Sequence, residues 1–419
     1  MPHPSPDLIV PPARPRGTSL RRVLAALAYP DFRRLWFGAA TSSIGTWMQV
    51  VAQNWLVLTL TGSAFYLGLD TFLGQLPILL FTVIGGLVAD RADRRRILLA
   101  SQYVQMSTAF TLALLVYFGA VQIWQILALS FVAGCAQAFG GPAHQSLMPS
   151  LVDRDHLPNA IALNSIQYNL ARVIGPLLAG LALASFGMVF SFAANGLSFL
   201  AVIAALSTIR IPPRDTAVRL PLVEDLRSGL RCVRDEGPLF GLTILAFAVT
   251  FLGTPLLTLL PVFAQQVFQQ GVEGYSRMMA FSGAGAVTGA LAVAWLGRFP
   301  RMGTWALVLQ VVFGGLIVAF ALARLPVLNN LLLFAAGGVL IMVFSLMNSL
   351  VQLIVPNEMR GRVLGLYMVA FRGGMPLGSL ASGALANLTS APAVLVVDGV
   401  LLAAVAAAFL VKYEKLRSS

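Results

Sequence analysis

Apolar and polar positions along this chain come in long blocks. Twelve apolar blocks, each about as long as a bilayer is thick, are separated by short polar or charged stretches, at residues 35–60, 66–89, 97–118, 122–143, 158–185, 188–207, 239–268, 274–296, 303–323, 327–352, 362–387 and 391–411. About 20 apolar residues cross the hydrocarbon core as a helix, because only a helix satisfies every backbone N–H and C=O within one segment. The pattern therefore predicts an all-α polytopic membrane protein with twelve transmembrane helices. Its most telling break is residues 90–96, where Asp90, Arg91, Asp93, Arg94, Arg95 and Arg96 crowd between two apolar blocks and mark a tight, solvent-exposed hairpin.

The blocks divide six and six. The longest connection, residues 209–238, carries Pro212-Pro213, mixed charges and a short amphipathic pattern at Leu222, Leu226 and Leu230. An internal repeat follows the same division. Leu151-Val152-Asp153-Arg154-Asp155-His156-Leu157 is echoed by Ile354-Val355-Pro356-Asn357-Glu358-Met359-Arg360 at an offset of 203, and Arg172 with Pro176 by Arg372 with Pro376 at an offset of 200. Two related six-helix halves account for this degeneracy. The expected organisation is an N-terminal tail 1–34, a first half 35–208, a central loop 209–238, a second half 239–411 and a C-terminal tail 412–419.

Composition agrees, with 58% hydrophobic and 11% charged residues and a mean hydropathy of +0.82. The net charge of +12 would suggest nucleic acid in a soluble protein, but here the arginines flank apolar spans, as orientation signals do, so no nucleic-acid partner is expected. Basic residues fall almost wholly in the set of loops joined to the N-terminus, whereas the opposite set holds only Arg277 and Arg324. Both termini are therefore expected in the cytoplasm. Cys135 and Cys232 offer no disulfide framework, and His3, His144 and His156 offer no metal-ligand spacing, so neither metal nor cofactor is expected. The only lysines are Lys412 and Lys415, which rules out a phosphate-binding P-loop and with it ATP-driven transport by this chain alone. No catalytic motif is present, and no enzyme is expected.

From about Arg33 to Val411 the sequence resembles the major facilitator superfamily. Gly86-x-x-x-Asp90-Arg91-x-x-Arg94-Arg95 is similar to that superfamily's loop signature between helices two and three, with Asp93 where a glycine is usual. A more specific likeness is to its enterobactin-exporter-like branch, the transmembrane secretion effectors. It rests on Ile44-Gly45-Thr46-Trp47-Met48-Gln49, on Pro142-Ala143-His144-Gln145-Ser146-Leu147-Met148-Pro149, and on Asn169-Leu-Ala-Arg172-Val-Ile-Gly175-Pro176-Leu-Leu-Ala-Gly180. The resemblance implies a multi-pass protein of the bacterial cytoplasmic (inner) membrane that moves a small molecule. It also implies that Gly86, Asp90, Arg91, Arg94 and Arg95 form a conformational latch against the eleventh helix. From the residues alone, Asp90 could accept from free N–H groups at a helix N-terminus, or the cluster could only cap helices and set topology. Arg172, Gly175, Pro176 and Gly180 resemble an exporter-type motif of helix five. Physically they read as a kink with close backbone approach, which packing alone also explains.

Charges inside the spans are few. Arg172 and Arg372 fall near the bilayer centre, where a guanidinium is costly and should face the bundle interior, pair, or bind substrate. Asp70 and Asp398 are the acids within spans and are the candidates for proton coupling, with Thr71 and Gln75 near Asp70; a structural pair or a solvated rim charge is the alternative. Polar faces at Gln49, Gln53 and Asn54, at Asn164, Tyr168 and Arg172, at Thr250, Thr254 and Thr258, and at Ser345, Asn348, Ser349 and Gln352 would line a central cavity, joined by Trp47, Phe251, Phe263, Phe344 and Arg372. The reading is a secondary active exporter of a hydrophobic or amphipathic small molecule, such as a drug or a siderophore-like metabolite. It would work by alternating access as a monomer in the lipid bilayer, coupled to inward proton movement. An importer or lysolipid flippase on the same scaffold, or a non-transporting membrane receptor or assembly factor, are the alternatives.

Overall fold

A computed structural model describes residues 24–209, 237–297, 299–355 and 359–412. Residues 1–23 of the expected N-terminal tail, 210–236 of the central loop and 413–419 of the C-terminal tail lie outside the described residues, as do the side chains of Asp90 and Arg91. The first six long helices are α1 (Pro30–Thr61), α2 (Ala64–Arg91), α3 (Arg94–Tyr117), α4 (Ile123–Leu147), α5 (Leu157–Ser185) and α6 (Gly187–Thr208). The second six are α7 (Gly237–Gly253), α8 (Val272–Leu296), α9 (Met302–Leu322), α10 (Pro326–Ile354), α11 (Arg360–Leu388) and α12 (Ala391–Lys412). Eleven of these regions are long and apolar enough to cross a bilayer. The remaining one, α1, has 32 residues, ample length, but carries the polar stripe from Thr41 to Asn54.

Local chemistry sets the ends. Proline at the first position and Asp31 in the first turn start α1, ahead of the apolar run that begins at Leu35, since proline lacks an N–H that would be orphaned there anyway. Gly62, at φ 62°, terminates it in the left-handed conformation that costs glycine little. The seventh span is not one helix. Pro255 and Pro261 each remove a backbone donor, so α7 continues as short pieces at Pro255–Thr258 and Leu260–Val262 and then as a π-turn at Phe263–Val267, where Phe268 N–H reaches Phe263 O at 2.9 Å.

Packing repeats between the halves. In the first, α1 packs on α5 and α6, α2 on α4, and α3 on α4 and α6. In the second, α7 packs on α11 and α12, α8 on α10, and α9 on α10 and α12, which is the same scheme shifted by six helices. The seams between halves are also equivalent, α2 against α11 and α5 against α8. The internal repeat is thus a structural one, with a pseudo-two-fold relation between six-helix halves.

The two ends of the bundle differ. One end carries Arg33, Arg34, Arg94, Arg95, Arg96, Arg154 and Arg301, the other Arg277 and Arg324. At the arginine-poor end the halves meet closely, with Gly383 on Ala64, Gly68 on Ser379 and Gly180 on Ser276. Near mid-helix the seams still touch, Gly373 against Leu79 and Gly283 against the Arg172 carbonyl. Toward the arginine-rich end Ile161 and Tyr168, on the same side of α5 as Arg172, are 52% and 54% exposed.

Candidate substrate cavity and charged sites

The side of α5 that faces the cavity follows from its contacts. Gly175 lies against α1, where an added Cβ would sit 2.9 Å from Ile44 O, and Gly180 and Gly283 join α5 to α8. Residues advance about 100° per position around a helix, so Arg172, Tyr168 and Ser165 fall between these two neighbours on one side. Leu170, Leu177 and Leu181 lie opposite and are exposed on the apolar perimeter. The Arg172 guanidinium sits over the Trp47 ring, 5.6 Å from its centroid, and the Trp47 and Tyr168 rings pack edge to face at 6.2 Å. Among the described residues Arg172 has no carboxylate in ion-pair range. Asn164 is half-buried one turn further along.

The contacts of α11 also fix the side on which Arg372 lies. Gly373 faces Leu79 of α2 and Gly374 faces Phe247 of α7, while exposed Leu377 lies between those directions on the perimeter. Arg372 lies on the other side of α11 with Gly365 and Met368, and all three are exposed. Phe371 packs edge to face on Phe344 of α10 at 4.7 Å, and half-buried Asn348 lies one turn from Phe344.

Gln49 and Gln53 belong to a side-chain hydrogen-bond chain that crosses four helices. Gln53 Nε2 donates to Asp70 Oδ2 at 2.8 Å and to Ser130 Oγ at 2.9 Å, and the Ser130 hydroxyl donates to Asp70 Oδ1 at 2.5 Å. Gln49 Nε2 donates to Gln53 Oε1 at 3.3 Å, and Asn195 Nδ2 donates to Gln49 Oε1 at 2.6 Å. Asp70 is only 5% exposed, so these bonds replace water for a buried carboxylate. The expected supporters differ from those found, since Thr71 donates to the Leu67 carbonyl instead. Asp398, 6% exposed, accepts from Ser382 of α11 at 2.9 Å, a polar neighbour from an adjacent helix. Ser130 and Asn195 were visible only as isolated polar residues in apolar runs.

Some expected cavity residues are elsewhere. Thr254 is 6% exposed and donates to Thr250 O at 2.5 Å, while Thr250 itself packs against Gly374, so this face of α7 is turned to α11. Phe263 is fully buried in the core. Asn54 donates to Tyr275 Oη of α8 at 3.0 Å, at the closed end between the halves.

The loop cluster at residues 86–96 ties the first half together. Asp93 caps α3, its Oδ1 accepting from the Arg95 and Arg96 N–H groups at 2.9 and 3.4 Å, a use of aspartate that a glycine would not supply. Arg94 donates to Ala89 O at 3.2 Å and Ser146 O at 3.3 Å, and Arg95 donates to Ser207 O at 2.7 Å, placing cations at the C-terminal ends of α2, α4 and α6. The Gly86 α-carbon faces open space.

Known proteins bear on this architecture. Residues 22–418 match the profile of a family described as transmembrane secretion effector. A staphyloferrin A transporter of Staphylococcus aureus is 28% identical over 347 residues, covering 80% of this chain and 85% of that protein. The multidrug efflux pump Tap of Mycolicibacterium fortuitum is 29% identical over 365 residues, covering 84% of this chain and 88% of that protein. Among solved structures, a bacterial homologue of the human lysosomal transporter Spinster in an inward-facing, unoccupied conformation superposes with a TM-score of 0.73 at 17% identity, over 96% of this chain and all of that chain (100%), a likeness of fold.

Proposed function

The chain belongs to the transmembrane secretion effector family of the major facilitator superfamily and is a multi-pass membrane transporter, and from that premise we propose that it exports a hydrophobic or amphipathic small molecule in exchange for protons. The observation that carries this reading is an arginine on an aromatic platform on the side of α5 between α1 and α8, Arg172 over Trp47 beside Tyr168, with the halves closely packed at the arginine-poor end. An apolar and aromatic wall with a few placed polar groups suits a bulky amphiphile. The efflux pump and the siderophore transporter among its relatives support the same class of cargo.

In this proposal the arginine-rich end faces the cytoplasm of a bacterial inner membrane, a placement the basic-residue asymmetry supports. The cavity then opens inward, in the state that loads an exported solute. Alternating access follows from rocking one half on the other about the two equivalent seams. Gly175, Pro176 and Gly180 let α5 bend and sit close to α1 and α8, which supports such rocking. Asp90, with Gly86, Arg91, Arg94 and Arg95, is proposed to latch the cytoplasmic end in the alternate state. Asp70 is the proposed coupling group and Asp398 the second candidate. Ionised Asp70 accepts from both Gln53 and Ser130, whereas a protonated carboxyl must donate one hydrogen; Ser130 can turn to accept it but the Gln53 amide N–H₂ cannot. Proton uptake on Oδ1 therefore turns the Ser130 hydroxyl from donor to acceptor, while Oδ2 still accepts from Gln53, within a hydrogen-bond chain that runs through Gln53 and Gln49 of α1 to Asn195 of α6.

The test is a substrate screen by efflux in a pump-depleted host, followed by uptake into inside-out vesicles with an interior pH dye. The expected result is substrate accumulation driven by a proton gradient and accompanied by proton release from the vesicle lumen. Substrate entry in the opposite sense would make the protein an importer, and gradient-independent movement of a lysolipid would make it a flippase.

A further inference from the structure

Near the middle of the spans stand two guanidinium groups with, among the described residues, no acid turned toward them. Arg172 comes from α5 of one half and Arg372 from α11 of the other, positions related by the internal repeat at an offset of 200. Arg172 lies on the side of α5 between α1 and α8, by the contacts of Gly175, Gly180 and Gly283, and Arg372 lies on an exposed side of α11 turned away from the contacts of Gly373 and Gly374. The carboxylates of the spans are engaged elsewhere, Asp70 with Gln53 and Ser130, and Asp398 with Ser382.

A guanidinium near the middle of a membrane is costly unless something compensates its charge. Trp47 does so only in part, because a ring face offers a quadrupole and no hydrogen-bond acceptor. Among the described residues nothing accepts from the Arg172 N–H groups, and Arg372 is exposed. A planar fork of donors matches a carboxylate or another oxyanion. From this arrangement we infer that the transported solute is an anionic amphiphile, its oxyanion held by Arg172 and Arg372 from the two halves and its apolar body against Trp47, Tyr168 and Met368. This rests on the transporter reading and narrows its cargo. A ligand bridging both halves also gives them a reason to close together when it is bound and to separate when it leaves.

Three matched probes test it on the full chain in lipid nanodiscs: dansylaminoundecanoic acid, its methyl ester, and cationic dansylcadaverine. Binding is read by energy transfer from the six tryptophans, with protein-free discs as the partition background. The anion should bind saturably, about tenfold or more tighter than the ester, as charge-assisted hydrogen bonds warrant. Arg172→Gln and Arg372→Gln should each weaken the anion by about tenfold while leaving the ester unchanged. Because Arg372 is exposed, Arg372→Glu should fold and should shift preference to the cation. Ester or cation binding as tightly as the anion overturns the inference while leaving the transporter reading intact, as does full anion affinity in both glutamine variants. Saturable binding of none of the three by protein that elutes and unfolds normally overturns both.

Discussion

Asn54 of α1 reaches across the boundary between the halves and donates a hydrogen bond of 3.0 Å to the hydroxyl of Tyr275 on α8. Tyr275 is fully buried and its ring stacks on Trp55 at 6.4 Å, so the pair is a polar contact sealed inside an apolar lid. A second bond from Ser63 to Asn387, 2.8 Å, crosses the halves nearby. Tyr275→Phe keeps the stacking and strands the Asn54 amide, which costs about 1–3 kcal/mol in a buried setting. The closed end should then open more often, by about tenfold. The check is the rate at which an impermeant maleimide labels Tyr168→Cys in intact cells, in a background lacking Cys135 and Cys232; an unchanged rate removes Asn54 and Tyr275 from the gate.

Asp70→Asn should abolish uphill efflux and leave downhill movement of substrate, since asparagine keeps acceptor and donor groups but cannot exchange a proton. Ser130→Ala should reduce coupling less, because Gln53 still donates to the carboxylate. Asp398→Asn should be the milder aspartate change, as a single donor, Ser382, ties Asp398 to its surroundings while two donors from two helices hold Asp70. Proton flux per substrate in reconstituted vesicles decides: normal pumping by Asp70→Asn together with failure of Asp398→Asn reverses the roles.

The two aspartates of the charged hairpin should separate cleanly. Asp93 caps α3, so Asp93→Ala should lower thermal stability by about 1 kcal/mol, and Asp93→Gly by only a few tenths. Asp90→Asn should leave stability and insertion intact yet slow efflux, through loss of up to about 1–2 kcal/mol of charge attraction to a helix end in the alternate state. Melting curves beside transport rates distinguish them, and unchanged efflux in Asp90→Asn would leave the hairpin a topology marker.

Orientation is checked by labelling. A cysteine near Gln270, in the arginine-poor set of loops, should react with an impermeant reagent outside intact cells, and a cysteine at Asp93 should react only after lysis. Labelling of position 93 in intact cells would invert the topology and with it the direction of export.

The chain by itself determined the number of helices, their division into two halves and the rarity of charge inside them. These follow from composition over windows of about 20 residues, because lipid allows no unsatisfied backbone and so imposes helices wherever such a window occurs. Arg172 and Arg372 were legible for the same reason, since a charge in an apolar block is conspicuous. What the tertiary structure decided is the rotation of each helix and hence its partners. The period of Thr250, Thr254 and Thr258 defines a face but not its direction, and Gly374 and Gly378 draw that face onto α11 instead of the cavity. Asp70 finds Gln53 and Ser130, 17 and 60 residues away, and Asn54 finds Tyr275, 221 residues away. Periodicity within one helix carries no information about such pairs. They are set by where glycine and other small residues let two backbones approach, a property of helix surfaces in contact.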